Sequence, residues 1–227
     1  MKKLLPNSFY RRYIGRHDEE SVRQWKRLAA RIPAEKVIMD IGAFEGKYSL
    51  AARDVNRDVR IVAFEPNPQS AKILKRNCEN KKIEVCEVAI AEKNGTLSFL
   101  LNSAISRIVN ISADSKKIIQ VPAISLDDWI QENKVIPSLI KIDTEGAEPG
   151  ILRGAKKILN DYRPTILCEV LSTTAGEELM SVLPNNYRFY LIDENKGLDE
   201  QSTITRSSWR NINWLFVPKQ MRIEEDN

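Results

Sequence analysis

The chain has 227 residues, a formal net charge of +4, 42% hydrophobic and 29% charged residues. That length accommodates one sizeable α/β domain and is short for two, and the composition excludes a disordered or fibrous chain. The modest charge does not require nucleic acid or an anionic membrane, and no apolar run approaches the length of a membrane span.

In chain order, residues 1–16 are basic and aromatic, with Arg11, Arg12 and Arg16 beside Phe9, Tyr10 and Tyr13. The opening Met1-Lys2-Lys3-Leu4-Leu5-Pro6-Asn7 lacks the apolar core of a signal peptide. Glu19 to Arg31 predicts a helix with Val22, Trp25, Leu28 and Ala29 on one face, so residues 1–34 read as a helical cap. Val37 to Ile41 predicts a buried strand, Gly46 to Val55 a helix, Val59 to Glu65 a second strand and Gln69 to Asn77 a helix opened by Pro66 and Pro68. Lys82 to Ile90 reads as one third strand. Asn94-Gly95 is a hairpin signal leading into a strand at Thr96 to Leu100. Asn102 to Lys117 is polar and irregular; Ser103 and Ser106 make it either a plain surface loop or a lid over a substrate.

Ile118 to Ile124 returns as a strand, and Ser125 opens a short helix. Ser138 to Ile142 predicts a fourth parallel strand, then a helix from Pro149 to Leu159, a fifth strand from Pro164 to Val170, and a helix from Ala175 to Leu183. Strands at Tyr187 to Asp193 and Asn211 to Val217 close a domain spanning 35–218, and residues 219–227 read as a loose charged tail. Alternating strands and helices predict a doubly wound, mostly parallel sheet with helices on both faces. Cys78, Cys86 and Cys168 show no metal spacing; Cys86 and Cys168 sit in apolar runs, as thiols of a cytoplasmic protein do. His17 is the only histidine and lies in a charged stretch, so a catalytic base is sought elsewhere.

The first strand ends in Asp40-Ile41-Gly42-Ala43-Phe44-Glu45-Gly46. A strand, a glycine turn and a helix in that order form the ligand crevice of such a sheet. A dinucleotide needs G-x-G-x-x-G under its pyrophosphate. Phe44 replaces the middle glycine and Glu45 adds a repelling charge, so a nicotinamide-dependent oxidoreductase does not fit. A cationic nucleoside without phosphates, such as S-adenosylmethionine (SAM), does; the alternative is that Gly42 and Gly46 only close a strand-to-helix turn. Glu65 ends the second strand roughly 20 residues beyond the turn, the spacing at which an acid reads a ribose diol, which favours that role over a mere helix cap. Val88-Ala89-Ile90 should then lie near the adenine.

Asp143-Thr144-Glu145-Gly146-Ala147-Glu148 follows the fourth strand as an acidic turn. Its carboxylates read as helix caps, as a general base, or as ligands for a hard cation such as Mg²⁺. Glu169 interrupts an apolar run, which places it either at the mouth of the site or in a partnered structural role.

Four blocks carry a family resemblance: Val37 to Ala43 with Gly46; Ala63-Phe64-Glu65-Pro66-Asn67-Pro68; Val121 to Asp128; and Ile140 to Glu148 with Leu152 and Gly154. The chain resembles the FkbM-type SAM-dependent methyltransferases over about Val37 to Val170. The resemblance implies a class I methyltransferase fold with a seven-stranded sheet carrying one antiparallel strand. It implies that Asp40, Gly42, Ala43 and Gly46 cradle the methionine part of SAM. Glu65, with Pro66 and Asn67, would take the ribose, and Ala89 would border the base. Asp143 and Glu145 would meet the methyl acceptor, a hydroxyl of a sugar or natural product. Glu169, Ser103 and Ser106 are candidate acceptor contacts, and Asp143, Glu145 and Glu169 the ligand set if Mg²⁺ takes part. Nucleic acid is not expected as a partner; the alternatives are a nucleic-acid or protein methyltransferase and a non-catalytic SAM-binding module. The chain departs from the family pattern at Pro149-Gly150, where an ordinary helical pair is expected, and that leaves the position of Glu148 open.

Overall fold

The computed structural model describes residues 19–100, 107–108, 118–206 and 211–222. The central element is β1 (Val37–Ile41), five residues buried on both faces, as its unbroken apolar character requires. It pairs in parallel with β2 (Arg60–Phe64) on one side and β8 (Pro137–Ile142) on the other. Beyond β2 lies β3 (Ile83–Cys86); beyond β8 lies β9 (Thr165–Glu169), both parallel. The sheet continues through β12 (Asn213–Pro218), which is antiparallel to β9, then β10 (Tyr187–Asp193) and β11 (Gly197–Gln201). The chain winds outward from β1 to β3, then returns to β8 on the far side of β1. That reversal puts a crevice at the carboxyl ends of β1 and β8.

The expected doubly wound fold is present, with two differences. The main sheet has eight strands, two of them antiparallel, because β11 adds an edge. Its sequence, Gly-Leu-Asp-Glu-Gln, is polar and half exposed and carries no alternation to announce it. The second difference is a side sheet in the order β4-β7-β5-β6, formed by β4 (Ala89–Ala91), β5 (Gly95–Leu100), β6 (Arg107–Ile108) and β7 (Ile118–Ser125). The stretch expected as one third strand therefore splits. β3 stays with β2, and β4 pairs in parallel with β7. The side sheet has its own small core of Ala89, Ala91, Phe99, Val121 and Ala123.

Two apolar clusters cover the main sheet. On one face α1 (Glu19–Ala29) and α2 (Lys47–Val55) bury Trp25, Leu28, Tyr48 and Ala52 against Ile38, Leu139 and Leu167. The indole N–H of Trp25 donates to the Tyr48 carbonyl at 2.9 Å, so its one polar atom is satisfied. On the other face α4 (Leu126–Asn133), α5 (Glu148–Arg153), α6 (Lys156–Asp161) and α7 (Thr173–Val182) pack on Met39, Phe64, Ile140 and Ile166. α3 (Pro68–Asn77) lies against β3, with Leu74 fully buried. The helix expected over Pro149–Leu159 is broken in two. At Gly154 a Cβ would fall 2.4 Å from the Ala91 carbonyl oxygen, so backbone meets backbone there. The Gly154 carbonyl accepts from Asp127 N, and the Asp127 carboxylate caps α6 through Lys157 N and Ile158 N at 3.0 Å each. Cys78 and Cys168 are buried, Cys86 is half-buried, and all three are free thiols. Among the described residues no helix is long and apolar enough to cross a membrane.

Candidate active site

The glycine turn after β1 is held by hydrogen bonds from Gly42 N and Ala43 N to the Phe64 carbonyl, and from Gly46 N to the Ala43 carbonyl at 2.7 Å. Gly42 has φ +78° and Gly46 +93°, both left-handed. Phe44 adopts φ +50°, costly for a bulky side chain, and leaves its ring 56% exposed at the turn. Asp40 is buried; its Oδ2 accepts from Ser49 N at 2.9 Å and Ser49 Oγ at 2.7 Å, which ties β1 to the start of α2. Its Oδ1 is buried and has no hydrogen-bond partner. Burial raises the Asp40 pKa, opposed chiefly by the charge of Lys141.

Glu65 is buried at the carboxyl end of β2. Oε2 accepts from Phe44 N at 2.9 Å and Oε1 from Asn67 N at 2.8 Å, so this one carboxylate bridges the glycine turn and the start of α3. Burial raises its pKa, and the two backbone hydrogen bonds oppose the rise. Asn67 caps α3 by accepting from Gln69 N at 2.9 Å, with half-buried Pro66 between the two polar residues.

Across the crevice, Asp143 N donates to the Ile41 carbonyl, continuing the β1–β8 ladder into the acidic turn. Asp143 is half-exposed and Glu145 exposed, and Glu145 adopts φ +59°. Asp143, Glu145 and Glu169 bring one carboxylate oxygen each within 4.8 Å of one another. Glu169 Oε2 is buried without a hydrogen-bond partner. Burial first, then the charges of Asp143, Glu145 and Glu148, push its pKa up to about 9. Burial and the neighbouring carboxylates thus favour the protonated form of Glu169. Glu148, left open by the sequence, is buried and structural: its Oε1 accepts from Thr144 N, Thr144 Oγ1 and Gly146 N at 2.8, 2.9 and 3.2 Å.

Residues 40–195 match the family model described as the methyltransferase FkbM domain, more than half of the chain. The chain belongs to the FkbM methyltransferase family. It is 26% identical over 148 residues to the 2-O-methyltransferase NoeI of Sinorhizobium fredii, covering 57% of this chain and 61% of that protein. The fold is similar to a methyltransferase FkbM from Methylobacillus flagellatus, with a TM-score of 0.54, 17% identity and coverage of 82% of this chain and 44% of that one. It is also similar to a SAM-dependent methyltransferase from Agrobacterium tumefaciens, with a TM-score of 0.50, 8% identity and coverage of 90% and 62%. The chain thus spans less than two thirds of the length of these relatives.

The residues of this FkbM-family site fit SAM on three observations. Gly42 and Gly46 take left-handed φ, which keeps the turn tight at the carboxyl end of β1. Asp40 holds an unpartnered carboxylate oxygen beneath that turn, and Glu65 stands at the end of the neighbouring strand. The structure assembles Asp40, Gly42, Ala43, Gly46, Glu65, Pro66 and Asn67 on one side of the crevice, and Asp143, Glu145 and Glu169 on the other. Ala89 is placed differently: its methyl is enclosed in the core of the side sheet, 4% exposed. Ser103, Ser106 and the basic arm Arg11, Arg12 and Arg16 lie outside the described residues.

Sequence reasoning missed Lys141. It lies opposite Asp40 in the β1–β8 register, 3% exposed, with Nζ 3.0 Å from Asp143 Oδ2 and 3.8 Å from Asp40 Oδ1. The ammonium also sits 4.6 Å from the centre of the Tyr48 ring. Its neighbouring carboxylates raise its pKa despite burial, so it stays charged. The signal was present: a lysine inside Leu139-Ile140-Lys141-Ile142 is as anomalous as Glu169 in its own strand.

Proposed function

We propose that this protein is a SAM-dependent O-methyltransferase acting on a hydroxyl of a small molecule, a sugar or another natural product. The observation that carries the reading is the pairing across one crevice of a phosphate-free nucleoside cradle, Asp40 to Gly46 with Glu65, and a group of acids at the acceptor position, Asp143, Glu145 and Glu169. The printed activity of the relative NoeI, 2-O-methyl transfer, supports the same class of reaction. We take 35–218 as the methyltransferase domain, with a helical cap before it and a charged tail after it. Three free thiols suit a reducing compartment, and the cytoplasm is the proposed location.

In this reading the tight turn of Gly42, Ala43 and Gly46 borders the methionine part of the cofactor, Asp40 supports its cationic end and Glu65 takes the ribose hydroxyls. When bound, the cofactor supplies an activated methyl group suited to in-line displacement. A sugar or alkyl hydroxyl is weakly acidic, so a base is needed as the new bond forms. Asp143 is that base: it is half-exposed toward the acceptor side and fixed from behind by Lys141. Glu145 is the second candidate. Glu169 holds its proton and offers a hydrogen bond to the acceptor or to Asp143.

The three acids also offer a ligand set for Mg²⁺. Lys141 already neutralises Asp143 at 3.0 Å, which favours the base over the metal. Calorimetry with S-adenosylhomocysteine (SAH), followed by methyl transfer from labelled SAM to a panel of methyl glycosides, tests the reading. SAH binding with transfer that EDTA leaves unchanged is the expected result. Activity lost with EDTA and restored by Mg²⁺ replaces the base with a metal; absence of SAH binding ends the proposal.

A further inference from the structure

The ring of Phe44 belongs to none of the apolar clusters of the fold. It is 56% exposed, the most exposed large apolar side chain among the described residues. The other three, Val55, Ile136 and Tyr162, come before β2, β8 and β9 and so lie at the amino end of the sheet. Of these four, Phe44 alone stands at the carboxyl end, just after β1, where the crevice opens.

The backbone works against a phenylalanine here. Its φ of +50° is left-handed, a region that glycine or asparagine enters at little cost and a bulky side chain does not. The conformation is imposed from several sides. Phe44 N donates to Glu65 Oε2 at 2.9 Å, Ala43 N donates to the Phe64 carbonyl, and the Glu45 carbonyl accepts from Asn77 Nδ2 at 2.9 Å. Neither the strained backbone nor an apolar ring shown to solvent contributes to folding. Such outliers cluster at ligand clamps, where the gain comes from binding.

The turn that carries the ring lies between two buried acids, Asp40 at the end of β1 and Glu65 at the end of β2, with Asp143 packed against Gly42. Acids favour a cation, and the face of a phenyl ring attracts one through its quadrupole without a charge of its own. In SAM the sulfonium is joined to the ribose through one methylene. A ring rooted beside the acid proposed for the ribose is therefore within a side chain's length of the sulfur. We propose that the face of the Phe44 ring packs on the sulfonium of SAM and makes the site prefer this cationic donor to its product, SAH. The inference rests on the SAM-dependent reading above. When the methyl group leaves, the electron pair of the broken bond stays on sulfur and the sulfonium becomes a neutral thioether. The ring then has no cation to attract, so the product is held less tightly than the donor.

Calorimetry on the full chain compares three ligands: SAM, SAH and sinefungin, in which a protonated amine stands in place of the sulfonium. The wild type binds SAM and sinefungin more tightly than SAH. Phe44→Asn and Phe44→Leu weaken SAM and sinefungin by about 3- to 30-fold, the range of a cation over a ring face, and leave SAH within about twofold. Phe44→Tyr keeps the ring face and keeps the preference. Phe44→Asn retains the wild-type melting temperature because asparagine accepts the left-handed φ, which separates a lost contact from a lost fold. The inference is overturned if the wild type binds SAM no better than SAH, if the Asn and Leu variants weaken SAH as much as SAM, or if they leave all three affinities unchanged. A wild-type protein that binds none of the three overturns the SAM-dependent reading itself, whereas one that binds SAH with no dependence on the ring overturns this inference alone.

Discussion

Gly42 lies against the backbone of Asp143: a Cβ on Gly42 would stand 1.9 Å from the Asp143 carbonyl oxygen. The cofactor turn and the acidic turn are therefore one packed unit, joined also by Asp143 N donating to the Ile41 carbonyl. Neither turn can shift without moving the other, so the proposed cofactor side and the proposed acceptor side of the crevice are aligned by the fold itself.

Gly42→Ala breaks that unit. The substitution combines a left-handed φ of +78° with a backbone clash that no side-chain rotation relieves. The expected outcome is a loss of about 3 kcal/mol or more of stability in urea unfolding, with SAH binding abolished in whatever fraction folds. Gly146→Ala is the control. It also has positive φ, +110°, but a Cβ there meets nothing within 4 Å, so its cost is limited to backbone strain of about 1–2 kcal/mol. Equal costs for the two variants would show that the Gly42–Asp143 approach is not what the glycine serves.

Glu65 joins the glycine turn to α3 through Phe44 N and Asn67 N. Glu65→Gln keeps one acceptor oxygen but replaces the other with a donor that faces an N–H. The variant should bind SAH about 10- to 100-fold more weakly, the size of one or two lost charge-assisted hydrogen bonds, and adenine alone should lose less. Calorimetry with SAH, adenosine and adenine separates the contributions. An unchanged SAH affinity would remove Glu65 from the ribose role and leave it a loop staple.

Much of this arrangement was legible in the chain because it depends on local patterns. The apolar run ending in Asp40, the two glycines and the acid at Glu65 are separated by distances that strand and helix geometry dictate, and the structure assembles them as one wall. What failed to show depends on contacts distant in sequence. β4 leaves β3 for the side sheet, although Val88-Ala89-Ile90 continues the same apolar run; only its pairing with β7 distinguishes the two strands. The break at Gly154 depends on the Ala91 carbonyl, and β11 on an edge offered by β10. Lys141 was overlooked because burial of a lysine makes sense only once Asp40 and Asp143 are seen on either side.

Lys141→Met tests that balance. Removing the ammonium leaves Asp40, 1% exposed, as a buried carboxylate whose Oδ1 lacks a hydrogen-bond partner. Breaking a buried pair from one side costs about 3–5 kcal/mol. Lysine's folded pKa lies above its unfolded value, so its contribution is fully present below the unfolded pKa and is lost only as pH rises through the folded one. In the variant, however, Asp40 has lost the charge that opposed the rise of its pKa, so the deficit should grow as pH rises from the ordinary carboxylate range and level off once the Asp40 carboxyl ionises in the folded chain. Adding Asp40→Asn should recover part of it, because the uncompensated charge is then gone. Urea unfolding of the single and double variants across this pH range checks both statements; a double variant no more stable than Lys141→Met would show that packing of the lysine stem, rather than charge, is what matters.

Glu169 gives the opposite sign. Its folded pKa is raised to about 9, from an ordinary carboxylate value of 4.5. Below the lower value both folded and unfolded chains hold the proton, and the group is neutral in the balance. Between the two values the unfolded chain releases a proton that the folded chain retains, so this residue lowers stability progressively as pH rises, and the loss levels off above the folded pKa. Glu169→Gln cannot ionise and keeps the shape. It should match the wild type near pH 4 and exceed it at pH 7 to 8 by on the order of 1–3 kcal/mol. The glutamine also retains a hydrogen-bond donor toward the acceptor, so turnover at neutral pH should fall by less than in Asp143→Asn. Thermal unfolding across pH 4 to 9, with turnover of both variants at pH 7, measures the two effects. A stability difference that is flat with pH would mean that Glu169 is ionised in the folded protein, and its role would then be that of a second base rather than a proton donor.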